Sequence, residues 1–128
     1  MMRAALVLLL LAGPALAETI TFAHGALQAG ARRGVPDVSL VYPGDCVAFR
    51  GRVKWGLFWI PVRVEAVFSR ANGRVRLRCR EVYVRGRAMP ARRAQADEKL
   101  AKLVDSESAA DRVEIIDGET VLYSQGLP

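Results

Sequence analysis

The side chains that could support catalysis in this chain are few and widely spaced. His24 is the only histidine, and no nucleophile or metal-binding group stands near it at a recognised spacing. The acidic pairs Asp97 with Glu98 and Asp105 with Glu107 fall on a predicted helix face and at a helix end, where solvation accounts for them. We therefore predict that the protein is not an enzyme and that it uses no metal and no cofactor.

A set of basic side chains lies at the outward positions of three predicted strands. The chain has 19 Lys and Arg against 13 Asp and Glu, a formal net charge of +6. Adjacent strands would gather these side chains into a basic face that attracts lipid phosphates, lipopolysaccharide or another polyanion. The alternative is a solvated face that Glu65 and Glu81 partly neutralise. The members are Arg50, Arg52, Lys54, Arg63, Arg74, Arg76, Arg78 and Arg80.

The most unusual segment is WGLFWIP at residues 55–61, which contains both tryptophans and one of the four phenylalanines. It falls at a predicted connection between two strands, where polar turn residues are expected. One interpretation is an apolar tip that touches a membrane interface or a lipid ligand. The other is a loop that folds under a helix and completes the core.

The elements that position these groups are mainly strands. In residues 46–55 the odd positions are apolar and Arg50, Arg52 and Lys54 occupy even positions, which is typical of a half-buried strand. An apolar loop is predicted over residues 56–61, after which the alternation resumes. The apolar positions predict the lining of a ligand site: Phe49, Val53, Trp55, Leu57, Phe58, Trp59, Val64, Phe68 and Leu77.

The dipeptide Asn72-Gly73 predicts a tight hairpin, because a type I′ turn needs positive φ at both central residues. The register that follows places Phe68 opposite Leu77, Ala66 opposite Cys79 and Glu65 opposite Arg80. Beyond Arg80 the apolar positions change parity, which predicts a β-bulge near Arg80-Glu81 and a curved sheet.

The remaining elements complete an α+β pattern. We predict an amphipathic helix over residues 21–33, a strand over 37–42 and a helix from Pro90 to Val104 with Ala94 on its apolar side. A last hairpin joins residues 113–116 to 120–123. The predicted fold is a curved, mostly antiparallel sheet packed on one main helix.

The first 17 residues are typical of a secretory signal. Arg3 precedes an apolar run, and Ala15-Leu16-Ala17 form an A-x-A cleavage site. Cleavage between Ala17 and Glu18 leaves residues 18–128 as one domain, which we expect to be periplasmic or secreted. Nucleic acid is not expected as a partner, because the chain is exported and aromatic residues do not alternate with the arginines.

Cys46 and Cys79 are the only cysteines. An oxidising compartment favours a disulfide between them. The predicted register opposes it, since it places Cys46 two strands and at least three residues from Cys79, beyond the reach of a disulfide. We predict free thiols, with a disulfide as the alternative.

The order of these segments resembles small bacterial envelope domains related to the tubular lipid-binding (TULIP, BPI-like) superfamily. The resemblance rests on CVAFRGRVK at residues 46–54, WIPVRV at 59–64, NGRVRL at 72–77, VYVRGRAMP at 82–90 and VEIIDG at 113–118. It implies a long curved antiparallel sheet around a helix, with an apolar groove for acyl chains. The superfamily has no fixed ligand motif, so no site residue follows from it.

We expect an exported binding domain for a lipid or another amphipathic molecule, with acyl chains between the inner sheet face and the helix at residues 90–104. An anionic membrane surface is a further expected partner. One alternative is a structural envelope protein that docks on a protein partner through its aromatic loop. Another is a polyanion-binding surface made by the arginine face.

Overall fold

The computed structural model describes residues 18–128, so the predicted signal segment lies outside the described residues. The helices are α1 (His24–Arg32) and α2 (Arg93–Leu103), and a short 3₁₀ turn at Pro90–Arg92 leads into α2. No helix among residues 18–128 is long and apolar enough to cross a membrane. The strands are β1 (Thr19–Ala23), β2 (Ser39–Val41), β3 (Val47–Trp55), β4 (Phe58–Ala71), β5 (Arg74–Val84), β6 (Arg87–Ala88), β7 (Asp105–Glu107), β8 (Arg112–Asp117) and β9 (Thr120–Gly126).

The larger of two sheets is antiparallel, with the order β2-β3-β4-β5-β6 and with β7 also paired to β5. Asn72 and Gly73 have φ values of 55° and 73° between β4 and β5, as a type I′ turn requires. The predicted pairs Phe68 with Leu77 and Ala66 with Cys79 are confirmed. The mixed α+β class and the mostly antiparallel, curved sheet are also as predicted, although residues 18–128 form two α-helices rather than one main helix.

A β-bulge interrupts the pairing of β4 with β5 at the predicted position. The register shifts between Glu65 and Ala66, because β5 carries the extra residue Arg80 there. Glu65 therefore lies opposite Glu81, and the predicted pairing of Glu65 with Arg80 is wrong. The Arg80 side chain still reaches Glu65, with 3.5 Å between Nη2 and Oε1.

The smaller sheet has the order β1-β8-β9 and contains a parallel pair, β1 with β8. The predicted helix over residues 21–33 begins too early, since Thr21 and Phe22 belong to β1 and α1 starts at His24. Alternating Thr and Ile suit a strand, but only pairing with the distant β8 decides the conformation. The closing β8–β9 hairpin is confirmed, with Asp117 opposite Thr120.

The bulge divides the large sheet into two parts that pack against different elements. Beyond it, the inward side chains of β4 and β5 pack on the small sheet and form the core. Phe68 stacks on Phe22, with ring centroids 5.6 Å apart, and lies near Tyr123. Before the bulge, the inward face of β3, β4 and β5 is turned toward α1 and α2 instead. The core residues contributed by the sheets are Leu40, Val47, Phe49, Ala66, Phe68, Val75, Leu77, Val113, Ile115 and Tyr123.

Helix α2 lies along the outer edge of β5, between the short strands β6 and β7. The backbone N–H of Cys79, beside the bulge, donates to the Asp97 carboxylate of α2 at 2.5 Å. Neither β6 nor β7 pairs with Cys79, so this hydrogen bond satisfies a backbone N–H at the edge of the sheet. At the other end, Arg74 and Arg76 both donate to Asp105 of β7 and hold the pKa of its carboxyl below the usual range. Ala94 is exposed, so its predicted place on the apolar side of this helix is wrong.

Both cysteines are free thiols, as predicted. The predicted offset of at least three residues is wrong, because Val47, Ala66 and Cys79 lie in one row across β3, β4 and β5 and Cys46 is only one residue along from that row. The separation of two strands, roughly 10 Å, by itself exceeds the reach of a disulfide.

Cys46 is buried, and burial raises the pKa of Cys79 to about 11. A raised pKa lowers the thiolate fraction at neutral pH, by roughly a hundredfold relative to an exposed cysteine. We expect slow alkylation of the native protein by iodoacetamide near pH 7.5 and labelling of both residues after unfolding without a reductant. An intact mass that shows no labelling after unfolding would contradict free thiols.

Candidate functional site

A large groove lies between the two helices and the part of the large sheet that precedes the bulge. Its volume is about 1110 Å³, slightly above the range of about 300–1,000 Å³ for small-molecule sites. Aliphatic side chains from three strands form its floor, and small residues on α1 and α2 form its walls. Phe22 and Ala23 of β1 also line it. The apolar residues of β3, β4 and β5 that line it are Phe49, Val53, Trp55, Ile60, Val62, Val64, Val82 and Val84.

Two glycines shape the groove by allowing close approach. A Cβ at Gly30 of α1 would lie 2.7 Å from Cδ1 of Leu103 in α2, so a larger residue there would require the Leu103 side chain to move. A Cβ at Gly51 of β3 would lie 3.0 Å from Val35, in the segment that crosses from α1 to β2. Val35 and Leu103 both line the groove, so these contacts define two of its boundaries.

The charged residues around the groove all have the same sign. Lys54, Arg92 and Lys99 line it and make no salt bridge within residues 18–128, and the same holds for Arg33. Lys102 also lines it and lies 4.0 Å from Glu98, an exposed pair that contributes little. Among the residues that the structure describes, no aspartate or glutamate lines the groove. An anionic group at its edge would therefore meet positive charge only.

The β3–β4 hairpin ends in residues 55–59, which we call the tip. The predicted loop over residues 56–61 is wrong, because only Gly56 and Leu57 form the turn and Phe58 already belongs to β4. The tip does not complete the core, since Trp55, Phe58 and Trp59 are each more than half exposed. Of the two interpretations of this segment, only the exposed apolar tip agrees with the structure.

A smaller cavity of about 570 Å³ lies beneath the tip. Leu57, Phe58, Arg85 and Arg87 line only this cavity. Its other main lining residues also line the groove, so the two spaces adjoin. The shared residues are Trp55, Ile60, Val84 and Met89.

The structure distributes the predicted lining residues among four places. Phe49, Val53, Trp55 and Val64 line the groove, and Leu57 and Phe58 line the smaller cavity. Trp59 lies on the outer face of the sheet, where the Arg52 guanidinium is 5.8 Å from its ring centroid. Phe68 and Leu77 lie in the core between the two sheets. Phe68 belongs to the part of β4 that follows the bulge, and Leu77 is its partner on β5.

Strand alternation did not identify the helical wall of the groove. That wall comes from the small and aliphatic residues of α1 and α2, above all Ala26, Gly30, Ala31, Ala96 and Leu100. A signal for it exists in the sequence, because Ala26 and Gly30 are four residues apart and so share one face of a helix. Small residues on a helix face leave room beside the helix instead of filling it.

Salt bridges neutralise much of the predicted basic face. Arg74 and Arg76 both pair with Asp105, which belongs to β7, a strand that the sequence analysis did not predict. Arg80 pairs with Asp45 and Glu65, Arg63 with Glu65, and Arg52 with Asp37. Within residues 18–128, the three members that make no salt bridge are Arg50, Lys54 and Arg78.

The titratable groups near His24 form a structural cluster. The Nδ1 atom of His24 lies 2.6 Å from the hydroxyl of Tyr42, which stacks on Tyr123. Burial raises the pKa of Tyr42 and of Tyr123 to about 12, so both phenols stay protonated at neutral pH. Among residues 18–128 no group of three or more His, Cys, Asp and Glu side chains is placed to hold a metal ion.

In comparisons with known proteins, no family model, curated protein or solved structure matches the chain. The similarity to the tubular lipid-binding superfamily therefore stays a prediction from the motifs. The shape, lining and charge of the groove are the observations on which a function can be proposed.

Proposed function

We propose that this protein is an exported, non-enzymatic binding protein whose groove holds an anionic amphipathic molecule, in the first place a lipid with a phosphate headgroup. The observation that carries the proposal is an apolar groove of about 1110 Å³ whose charged residues are all basic. Such a site matches a molecule with an apolar body and a negative end. A purely apolar ligand would leave the basic residues without a role.

The apolar part of the ligand would lie on the strand floor of the groove. Val62, Val64, Val82 and Val84 present a continuous aliphatic surface there, because they are cross-strand neighbours on one face of β4 and β5. Each CH₂ group moved from water to such a surface gains about 0.8 kcal/mol. An acyl chain in the groove would therefore gain apolar contacts with these side chains.

The anionic part would lie at the edge of the groove, against Arg33, Lys99 and Lys102 or against Lys54 and Arg92. These side chains are exposed at their ends, so they can stay solvated until a phosphate or carboxylate binds. Lys and Arg bind phosphate oxygens through charge-assisted hydrogen bonds, which are about twice as strong as neutral ones. The absence of acidic lining residues favours an anion over a zwitterion or a cation.

The two alternatives have less support. A structural protein that docks through its tip would use the exposed aromatic residues but would not need an open groove beside them. A polyanion-binding face would need unpaired arginines, whereas Arg74, Arg76 and Arg80 are engaged by acidic residues. The following experiments separate all three.

Native mass spectrometry of the protein expressed as its full chain and purified from its own cell envelope tests the proposal directly. We expect a mass that lacks residues 1–17 and an additional bound species that solvent extraction identifies as an anionic acyl lipid. A protein that carries no ligand, and takes up none when anionic lipids are added back, would sink the proposal. Retention of residues 1–17 would contradict the predicted cleavage.

The charge of the groove is tested by the double variant Lys99→Glu/Lys102→Glu. Loss of two charge-assisted hydrogen bonds and the new repulsion should weaken anionic lipid binding by at least about tenfold. The matched control is Arg50→Glu/Arg78→Glu, which makes the same change in net charge outside the groove. If the control loses binding and the groove variant does not, the polyanion face is favoured instead.

A further inference from the structure

We propose that the tip is a membrane-docking surface that inserts into an anionic bilayer and brings the mouth of the groove to the lipid. Docking by itself requires only the tip. The use of docking to load the groove rests on the proposed function. The surface extends beyond the groove, because Trp59 lines neither cavity and Leu57 and Phe58 line only the smaller one, whereas Trp55 lines both.

The tip exposes more apolar surface than a folded chain of this size needs to expose. Leu57 is 89 % exposed, Phe58 67 %, Trp55 60 % and Trp59 58 %, and all four lie within one hairpin end. The neighbouring Val53 and Met89 are exposed as well. A contiguous apolar patch of this kind usually marks an interaction site.

The charge around the tip identifies the partner as anionic. Residues 46–64 and 82–96, which form this end of β3, β4 and β5 and the start of α2, contain eight Lys and Arg and no Asp or Glu. Asp37 reaches in from the segment after α1 and pairs with Arg52. Arg63 and Arg93 pair with Glu65 and Glu81, which lie just outside these ranges. Within residues 18–128 the other five make no salt bridge: Arg50, Lys54, Arg85, Arg87 and Arg92.

A bilayer surface suits this combination better than a second copy of the chain. Tryptophan and tyrosine favour the boundary between hydrocarbon and water, while Lys and Arg interact with anionic headgroups just above it. Two tips placed face to face would bring two sets of basic residues together, and this repulsion opposes a dimer. One apolar end ringed by positive charge is the arrangement of an interfacial membrane anchor.

The two cavities connect docking to the groove. Trp55, Ile60, Val84 and Met89 line both spaces, so the tip and the groove adjoin through apolar side chains. With the tip inserted, the end of the groove would face the acyl region of the bilayer. A lipid could then pass into the groove without crossing water.

Tryptophan fluorescence provides a selective test, because both tryptophans of the chain are in the tip. In the variant Trp55→Phe the remaining Trp59 lines neither cavity, so its emission reports docking and not groove occupancy. We expect a blue shift of Trp59 and co-sedimentation with phosphatidylglycerol vesicles, and neither effect with phosphatidylcholine vesicles. Equal binding to both vesicle types would overturn the anionic surface as the partner.

The apolar contribution is tested by Leu57→Ser/Phe58→Ser, with Val121→Ser as control. Val121 is 49 % exposed and lies on β9 of the smaller sheet, so the control removes an exposed apolar side chain outside the tip. The tip variant should bind phosphatidylglycerol vesicles at least about tenfold more weakly at an unchanged midpoint of urea unfolding. The control should bind as the unaltered protein does.

Three results would overturn the inference: no vesicle binding by the unaltered protein, equal binding by the tip variant, or a dimer that the tip variant dissolves. Its failure can be distinguished from failure of the proposed function. A protein that carries an anionic lipid but does not bind vesicles refutes docking alone. A protein that docks but carries and accepts no lipid refutes the ligand-binding groove alone.

Discussion

Replacing Ala26 and Ala96 by tryptophan is expected to abolish lipid binding while leaving the fold intact. Both alanines line the groove, one on each helical wall, and neither belongs to the core cluster. Two indole rings would occupy the space of an acyl chain. Displacing as few as four CH₂ groups from apolar contact costs about 3 kcal/mol, a factor of roughly a hundred in affinity.

The matched control for this prediction is Ala29→Trp/Ala94→Trp. These residues lie on the same two helices, are exposed and do not line the groove. Native mass spectrometry should show bound lipid on the control and on the unaltered protein, but not on the groove-filled variant. Thermal unfolding should show no loss of stability in the groove-filled variant. Bound lipid that persists there at an unchanged amount would mean that the ligand lies elsewhere.

The substitution Phe68→Ala is expected to lower the free energy of unfolding by about 3–5 kcal/mol. Phe68 is 2 % exposed and stacks on Phe22, so its removal leaves a cavity in the core. Its backbone also connects the two sheets, because its N–H donates to the Gln125 side-chain carbonyl and its carbonyl accepts from the Gln125 amide, at 2.9 Å and 2.7 Å. A loss of this size is a large share of the stability of a small domain.

Urea unfolding measures this loss, with Phe58→Ala as the control. The control makes the same chemical change at an exposed position of the same strand, so we expect it to cost less than about 0.5 kcal/mol. If Phe68→Ala does not fold, Phe68→Leu removes less volume and should cost about 1 kcal/mol. A Phe68→Ala variant as stable as Phe58→Ala, but unable to bind lipid, would place Phe68 in the site instead of the core.

These two predictions separate positions that strand alternation treats alike. Val64 and Phe68 are inward residues of one strand, yet Val64 lines the groove and Phe68 lies in the core. The difference arises at the bulge between Glu65 and Ala66, beyond which the small sheet covers β4. Alternation reports which side of a strand is apolar, but it does not report what packs against that side.

The basic face illustrates the same limit for charge. Alternation placed Arg74 and Arg76 outward, which is consistent with their pairing on Asp105. Whether an outward arginine stays free depends on which acidic residues the rest of the chain brings to it. Asp105 is 29 residues from Arg76, so no local pattern indicates the pair.

The sequence by itself determined the local features: the Asn72-Gly73 hairpin and its register, the bulge at Arg80, the helix that follows Pro90, the closing hairpin and the α+β class. Each depends on φ restrictions or on side-chain periodicity over a few neighbouring residues. Tertiary structure alone decided that β1 joins β8, that β7 pairs with Arg74 and Arg76, and that α1 and α2 leave a groove open. Those outcomes depend on contacts between residues far apart in the chain, and a short stretch of sequence does not indicate how strong such contacts are.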